Sequence, residues 1–284
     1  MNNILSFTDF LFESKTSIIN KETVKEFLQK KCSYFDGDTA NIPLFRGTSN
    51  KFIYGFIEPK KFIKPRQTRT NMYPIIPVID SLPSWQKYPP RGKSVIMSTS
   101  LSTADSFRNA GNTYAVFPAD NSNMGICGGK DFNISRKKSD NWNYIKKISK
   151  TESIVILRGL FREIQTMLYY IEDSNSSNFN SIEDIKKIKD IFSILDEKWN
   201  EKFFFENSDF SFISVINNYY KNNKNGKLWD FLNEFLDPKK NNFENKKMNK
   251  KLFEDFYTKY ENNEVWTDGP CVLIDVNSLH LIQF

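Results

Sequence analysis

A chain of 284 residues and 33.3 kDa can bury about three-quarters of its unfolded surface, which excludes a core-poor peptide and a disulfide-stapled mini-fold. With 39% hydrophobic and 26% charged residues the composition is neither disordered nor membranous, and no apolar run approaches the about 20 residues of a bilayer span. A Lys and Arg count of 40 against 34 Asp and Glu leaves +6, a mild excess that solubility explains as well as a weak preference for nucleic acid or phosphate.

The cysteines Cys32, Cys127 and Cys271 are odd in number and widely spaced, so neither a disulfide framework nor a zinc site is signalled, and a reducing compartment fits them better. The sole histidine, His280, lies in the apolar stretch Leu279-His280-Leu281-Ile282 and reads as structural. A Ser-His-Asp triad and a multi-histidine metal site therefore drop out.

In chain order, Met1–Glu13 comes first: Ile4, Phe7, Phe10, Leu11 and Phe12 make one apolar face on a short helix that is marginal alone and needs a partner. From Asn41 to Phe132, proline and glycine punctuate short apolar runs at Ile42–Phe45, Ile75–Ile79, Ser94–Met97 and Tyr114–Phe117, which read as strands. From Asn133 to Tyr260, Lys, Asn and Phe dominate and the period becomes helical. There Ser181-Ile182-Glu183-Asp184 is a capping box ahead of Ile185, Ile188, Phe192, Leu195 and Trp199. Leu228, Phe231, Leu232 and Phe235 form a second helical face, and Met248, Leu252, Phe256 and Tyr260 a third. Ser153–Leu157 is strand-like, while Lys221–Lys227 and Lys239–Lys247 read as solvated loops. Strand character returns at Cys271–Val276 and Leu279–Ile282. Strands, helices and strands again predict an α+β sheet domain with a helical insertion at about 134–260, because the last strands must pair with the first.

Two motifs carry chemistry. Leu44-Phe45-Arg46-Gly47 ends an apolar strand on an arginine whose fork of donors suits a pyrophosphate, with a glycine that lets backbone approach a flat ligand. A solvated strand-end arginine is the plainer reading. Ser94-Val95-Ile96-Met97-Ser98-Thr99-Ser100-Leu101 runs an apolar strand into three hydroxyls. Ser102 and Asp105 then make a capping box, and Gly111 can end the short helix. Such hydroxyls can bond one another, the backbone or a ribose; a strand-end turn needs the same small polar residues. Pro89-Pro90-Arg91-Gly92-Lys93-Ser94 lacks the spacing of a phosphate loop.

Together these motifs resemble mono-ADP-ribosyltransferases of the arginine–serine–glutamate type, over about residues 41–132 and the C-terminal strands, leaving the Lys/Asn-rich zone unmatched. The resemblance implies a split β-sandwich, NAD as substrate and no metal. It assigns Arg46 to the NAD phosphate or ribose, the Gly47 backbone to the nicotinamide amide, and Ser98 to ordering the site, with Thr99 and Ser100 beside it. Phe107 is a candidate to stack on nicotinamide, and Arg66 and Arg69 to add phosphate contacts; a core phenylalanine and solvated loop arginines are the commoner cases. The family's glutamate opens an aliphatic strand. Two positions compete for it: Glu152 in Thr151-Glu152-Ser153-Ile154, and Glu264 in Glu261-Asn262-Asn263-Glu264-Val265-Trp266, which leads into Cys271-Val272-Leu273-Ile274. Glu264 is favoured. Asn262 stands two residues earlier, where the family has Glu or Gln, a departure that bears on which acceptor side chain is used.

Met1–Glu13 also resembles the leaders that target internal proteins of T-even-type bacteriophages into the prohead, with Leu11-Phe12-Glu13 before Ser14 fitting their cleavage pattern; an ordinary amphipathic helix fits equally. The implied setting is the virion interior and then the host cytoplasm. The implied partners are a host protein acceptor and a phage capsid or scaffold contacted through the N-terminal segment, without a membrane, nucleic acid being only weakly supported. A non-catalytic internal virion protein binding DNA or capsid, and an NAD glycohydrolase, are the alternatives.

Overall fold

The computed structural model describes residues 16–38, 41–61, 75–132 and 226–282, with positions 135, 190, 192, 193, 196 and 197. Met1–Glu13, Arg66, Arg69, Glu152, the strand-like run Ser153–Leu157 and most of the first helical face lie outside these residues. Contacts divide the chain into two units: Met1–Gln67, Lys87–Phe132 and Phe243–Phe284 form one, and Thr68–Gln86 with Asn133–Asn242 the other.

The first unit is mixed α and β. It opens with β1 (Ser17–Ile18) and α1 (Lys21–Lys31), a helix capped where the Asn20 side chain accepts from the Thr23 amide at 2.8 Å. Then come β2 (Phe45–Thr48) and β3 (Tyr54–Ile57). α2 (Ile75–Ser81) belongs to the other unit. The first unit resumes with β4 (Val95–Ser98), α3 (Leu101–Asp105), β5 (Asn112–Pro118) and β6 (Asn123–Cys127). After α4 (Leu228–Phe235), again in the other unit, it closes with β7 (Phe243–Lys247), α5 (Lys250–Thr258), β8 (Glu264–Thr267) and β9 (Cys271–Asp275). The nine described strands form one antiparallel sheet in the order β1-β3-β9-β5-β2-β4-β8-β6-β7. As the interleaved order requires, C-terminal strands pair with N-terminal ones: β9 lies between β3 and β5, and β8 between β4 and β6.

Burial explains the centre of this sheet. β9 is buried along its whole length and β5 at all but its first residue, which is why both read as unbroken apolar runs. Val24 and Leu28 of α1 and Leu252, Phe253 and Phe256 of α5 join them in one core.

Five expectations from the sequence are corrected. The run Ile42–Phe45 is strand only at Phe45: the strand continues to Thr48, so Arg46 lies inside it and not at its end. Ile75–Ile79 is helical, within α2: a short apolar run has no period to separate strand from helix, and Pro77 sits in the first turn, where the missing amide costs nothing. Lys239–Lys247 is not all loop, since Phe243–Lys247 pairs residue for residue with β6 from Cys127 back to Asn123. β7 is the last strand in the order among the described residues, and a lysine-rich edge discourages pairing with other chains. Leu279–Ile282 is not a strand. The chain turns into a 3-10 helix, Val276–Leu281, because the Asp275 side chain accepts from the Asn277 amide at 3.0 Å, and His280 is exposed on it. Finally, α3 is capped by Ser100, two residues ahead of the Ser102–Asp105 box.

The second unit is described over α2, α4 and the turns beside them. Trp85 Nε1 donates to the Leu236 carbonyl at 2.7 Å, and the Ser84 amide to Asn233 Oδ1 at 2.9 Å, tying the 3-10 turn Pro83–Trp85 to α4. α4 buries Leu228, Leu232 and Phe235, three of the four positions of the expected apolar face.

Two expected results concern stability in the sheet unit. All three cysteines are free and buried. Burial pushes the Cys32 thiol up to about 12 and Cys271 higher still. Labelling of the native protein by a thiol reagent should therefore be slow and limited by opening of the fold, whereas denatured protein reacts at once; fast native labelling of all three would contradict the core assignment. On β7, burial alone would raise the Glu244 carboxyl, but Tyr260 Oη donating at 2.8 Å and Lys259 Nζ donating at 3.1 Å outweigh it and hold it below its usual 4.5. A lowered carboxyl contributes stability above its unfolded value and loses it as pH falls through the folded one. Glu244→Gln should thus flatten the loss of melting temperature below about pH 4.5; an unchanged acid limb would exclude this network as a source of it.

Candidate functional site

The register brings two of the sequence-predicted residues, Ser98 and Glu264, to one row of the sheet, while Arg46 stands one residue off that row, where strand alternation turns the side chain to the other face. Phe45 of β2 lies opposite Ser98 of β4, and Ser98 lies opposite Glu264 of β8. Neighbouring strands stand about 5 Å apart, so Glu264 is one strand from Ser98 and two strands, about 10 Å, from the backbone of Arg46. Ser98 and Glu264, far apart in sequence, thus pair because β8 lies between β4 and β6.

Phe45 and Ser98 are the single registered pair between β2 and β4. Beyond it the strands part, and Arg46 Nη1 donates to the Ile96 carbonyl at 2.7 Å across the opening. Arg46 is 8% exposed, an arginine held against its own sheet rather than a solvated cap.

Gly47 has a packing reason beside the one expected. A Cβ there would lie 2.0 Å from the Ala104 carbonyl oxygen and 2.7 Å from the Arg108 nitrogen, so the missing side chain makes room for the end of α3. The close approach is to the chain's own backbone.

The three hydroxyls are divided in use. Ser98 Oγ accepts from the Ser100 amide at 3.1 Å. Ser100 Oγ accepts from the Thr103 amide at 3.3 Å, capping α3, and is 3.0 Å from Ser102 Oγ. Thr99 is bolted to the turn before β8: its amide donates to the Asn263 carbonyl at 2.9 Å, and its hydroxyl donates to the Tyr260 carbonyl at 2.6 Å and accepts from the Asn263 amide at 2.8 Å. Asn263 Nδ2 adds a bond to the Cys127 carbonyl at 2.7 Å. In this turn Asn262 has φ 62°, a left-handed conformation that asparagine adopts more readily than Glu or Gln, which accounts for the departure at that position. Phe107 is 55% exposed in the turn after α3 rather than in the core.

Glu264 emerges from this turn as the first residue of β8, its amide donating to the Lys130 carbonyl at 3.0 Å. Its side chain is 20% exposed. Oε1 lies 2.5 Å from Arg91 Nη1, and Cys127 Sγ approaches the same oxygen at 3.8 Å. The Arg91 guanidinium stands 4.5 Å from the Phe132 ring centroid and 5.4 Å from that of Trp266. Trp266 is fully buried, donates Nε1 to the Pro89 carbonyl at 2.8 Å, and rests on Gly125, where a Cβ would lie 2.1 Å from its ring. Sequence reasoning missed this arginine as a partner of the glutamate. Its neighbours Gly92, Lys93 and Ser94 suggested only a failed phosphate loop, and no spacing links position 91 to 264.

A cleft of about 580 Å³ opens elsewhere in the unit, at the turns 119–123 and 268–270, lined among others by Phe27, Phe56 and Asp120. It shares no residue with the Ser98–Glu264 row, and it sits at the far ends of β5 and β8. Among the described residues no three His, Cys, Asp or Glu side chains converge as metal ligands, and no helix is long and apolar enough to cross a membrane. Comparisons with protein-family models, curated proteins and solved structures gave no match.

Proposed function

We propose that the protein is an NAD-dependent mono-ADP-ribosyltransferase with a split β-sandwich fold, packaged in a bacteriophage virion and delivered to modify a host protein. The observation that carries the reading is the placement of Glu264 directly across from Ser98, on a strand adjacent to it. A single carboxylate is what the chemistry asks for. When the nicotinamide–ribose bond breaks, nicotinamide leaves with the bonding pair and positive charge builds on the sugar. A carboxylate accepting a hydrogen bond from the 2-hydroxyl gains strength as that charge grows, and stabilisation realised only in the transition state raises the rate. The acceptor then forms the new bond to the anomeric carbon with its lone pair and loses a proton to solvent.

In this reading Glu264 is catalytic, Arg46 supplies positive charge for the pyrophosphate, and Ser98 orders the pocket beside the Thr99 and Ser100 hydroxyls. The exposed Phe107 ring is free to stack on nicotinamide, and Arg66 and Arg69 add phosphate contacts. The prohead-type leader directs the chain into the particle.

The burial of Arg46 and the filling of the Gly47 face by α3 favour a second reading, a non-catalytic virion protein of the same fold. One experiment separates the readings. Purified protein is incubated with adenylate-labelled NAD, with and without host lysate. Label on a lysate protein supports the transferase. Nicotinamide release without transfer makes it a glycohydrolase. Neither product leaves the non-catalytic reading.

A further inference from the structure

The two carboxylate oxygens of Glu264 are not equivalent. Oε1 is bound by Arg91 and approached by Cys127 Sγ, while Oε2 has no protein partner among the described residues. Arg91 is itself held fast: it stands over Phe132 and near Trp266, its side chain is 10% exposed, and it begins a 3-10 turn in which Lys93 N donates to the Pro90 carbonyl at 3.0 Å. A guanidinium is planar and always charged, so a fixed one fixes the carboxylate it binds. Ser98, the residue expected to order the site, accepts from the Ser100 amide and has no bond to Glu264 among the described residues.

Resting on the transferase reading, we infer that Arg91 is the positioning residue of the reaction: it anchors Oε1 of Glu264 so that Oε2 faces the ribose 2-hydroxyl of NAD. Gly125 and Trp266 belong to the same device, since the glycine admits the indole that walls the guanidinium. Arg91 touches neither NAD nor the acceptor in this account. Losing it leaves NAD binding intact and lets the carboxylate swing away from the sugar.

The test is steady-state NAD cleavage by the full chain, comparing wild type with Arg91→Met and Arg91→Lys, each checked for a cooperative melt. The expected result for R91M is a kcat about 100-fold lower, the cost of an ångström-scale misplacement. KM for NAD should stay within about twofold, as it does when only transition-state contacts are lost. R91K keeps the charge without the rigid fork, and should recover about a tenth of the wild-type kcat. If R91M does not fold, R91K decides by the same criterion. A folded variant with unchanged kcat overturns the positioning role, and so does a raised KM at constant kcat, which would make Arg91 a ligand contact. Wild-type protein that cleaves no NAD overturns the transferase reading and this role with it. That result is read on the wild type alone, which separates the two failures.

Discussion

Glu264→Gln is expected to abolish NAD cleavage and transfer while leaving the fold intact. The amide keeps the size of the carboxylate and can still accept a hydrogen bond, but it cannot offset positive charge on the sugar. Loss of one group that acts on developing charge costs about 100- to 1,000-fold in rate, or about 3–4 kcal/mol. The substitution also removes the anionic partner of Arg91, whose side chain is 10% exposed. The remaining guanidinium still has Phe132 and Trp266 around it, so a modest fall in melting temperature should accompany the loss of rate. Nicotinamide release measured by chromatography is the check. A rate within about tenfold of wild type would remove Glu264 from the chemistry, because a catalytic carboxylate contributes more than that.

Gly47→Ala is expected to be strongly damaging to the sheet unit. Its methyl would enter the space of the Ala104 carbonyl oxygen and the Arg108 nitrogen, both backbone atoms that no rotamer change can move aside. Either α3 lifts from β2 or β2 shifts away from β5, where Gly47 pairs with Thr113. Overpacking of this kind costs about 2–3 kcal/mol, several degrees of melting temperature in a chain of this size. The substitution also distinguishes two uses of the glycine. If the residue serves packing, G47A lowers the melting temperature with or without NAD. If it serves ligand approach alone, stability is unchanged and only NAD affinity falls. Differential scanning fluorimetry with and without NAD decides between them.

The parts of this fold that were legible beforehand are those where one physical signal dominates. β5 and β9 are buried on both faces and read as apolar runs; α4 and α5 carry apolar side chains at helical spacing. β4 could be found because an apolar run stops abruptly at three hydroxyls. Where signals compete, reading failed. β7 has the sequence Phe-Glu-Asn-Lys-Lys and owes its strand state to pairing with β6, a tertiary cause with no local trace. The helix over Ile75–Ser81 shows the opposite error, apolar residues too few to display a period. α1 has an Asn cap and only two fully buried side chains, Val24 and Leu28, in a Lys/Glu-rich segment.

The candidate site divides in the same way. Ser98 and Glu264 were nameable because one closes β4 and the other opens β8, and Arg46, inside β2, because a glycine follows it. Thr99 was named for the ligand, yet it fastens the turn that aims Glu264. Arg91 was invisible because its meaning comes from three contacts, with Glu264, Phe132 and Trp266, none of them local in sequence. The asparagine at position 262 has a backbone cause, its left-handed conformation.

The most direct measurement of the central claim is the structure of Glu264→Gln protein with NAD bound. The account expects the nicotinamide ribose over the Ser98–Glu264 row, its 2-hydroxyl within hydrogen-bonding distance of the side chain at 264 and the pyrophosphate toward Arg46. A dinucleotide seated in the cleft at the 119–123 and 268–270 turns, with that row empty, would contradict it.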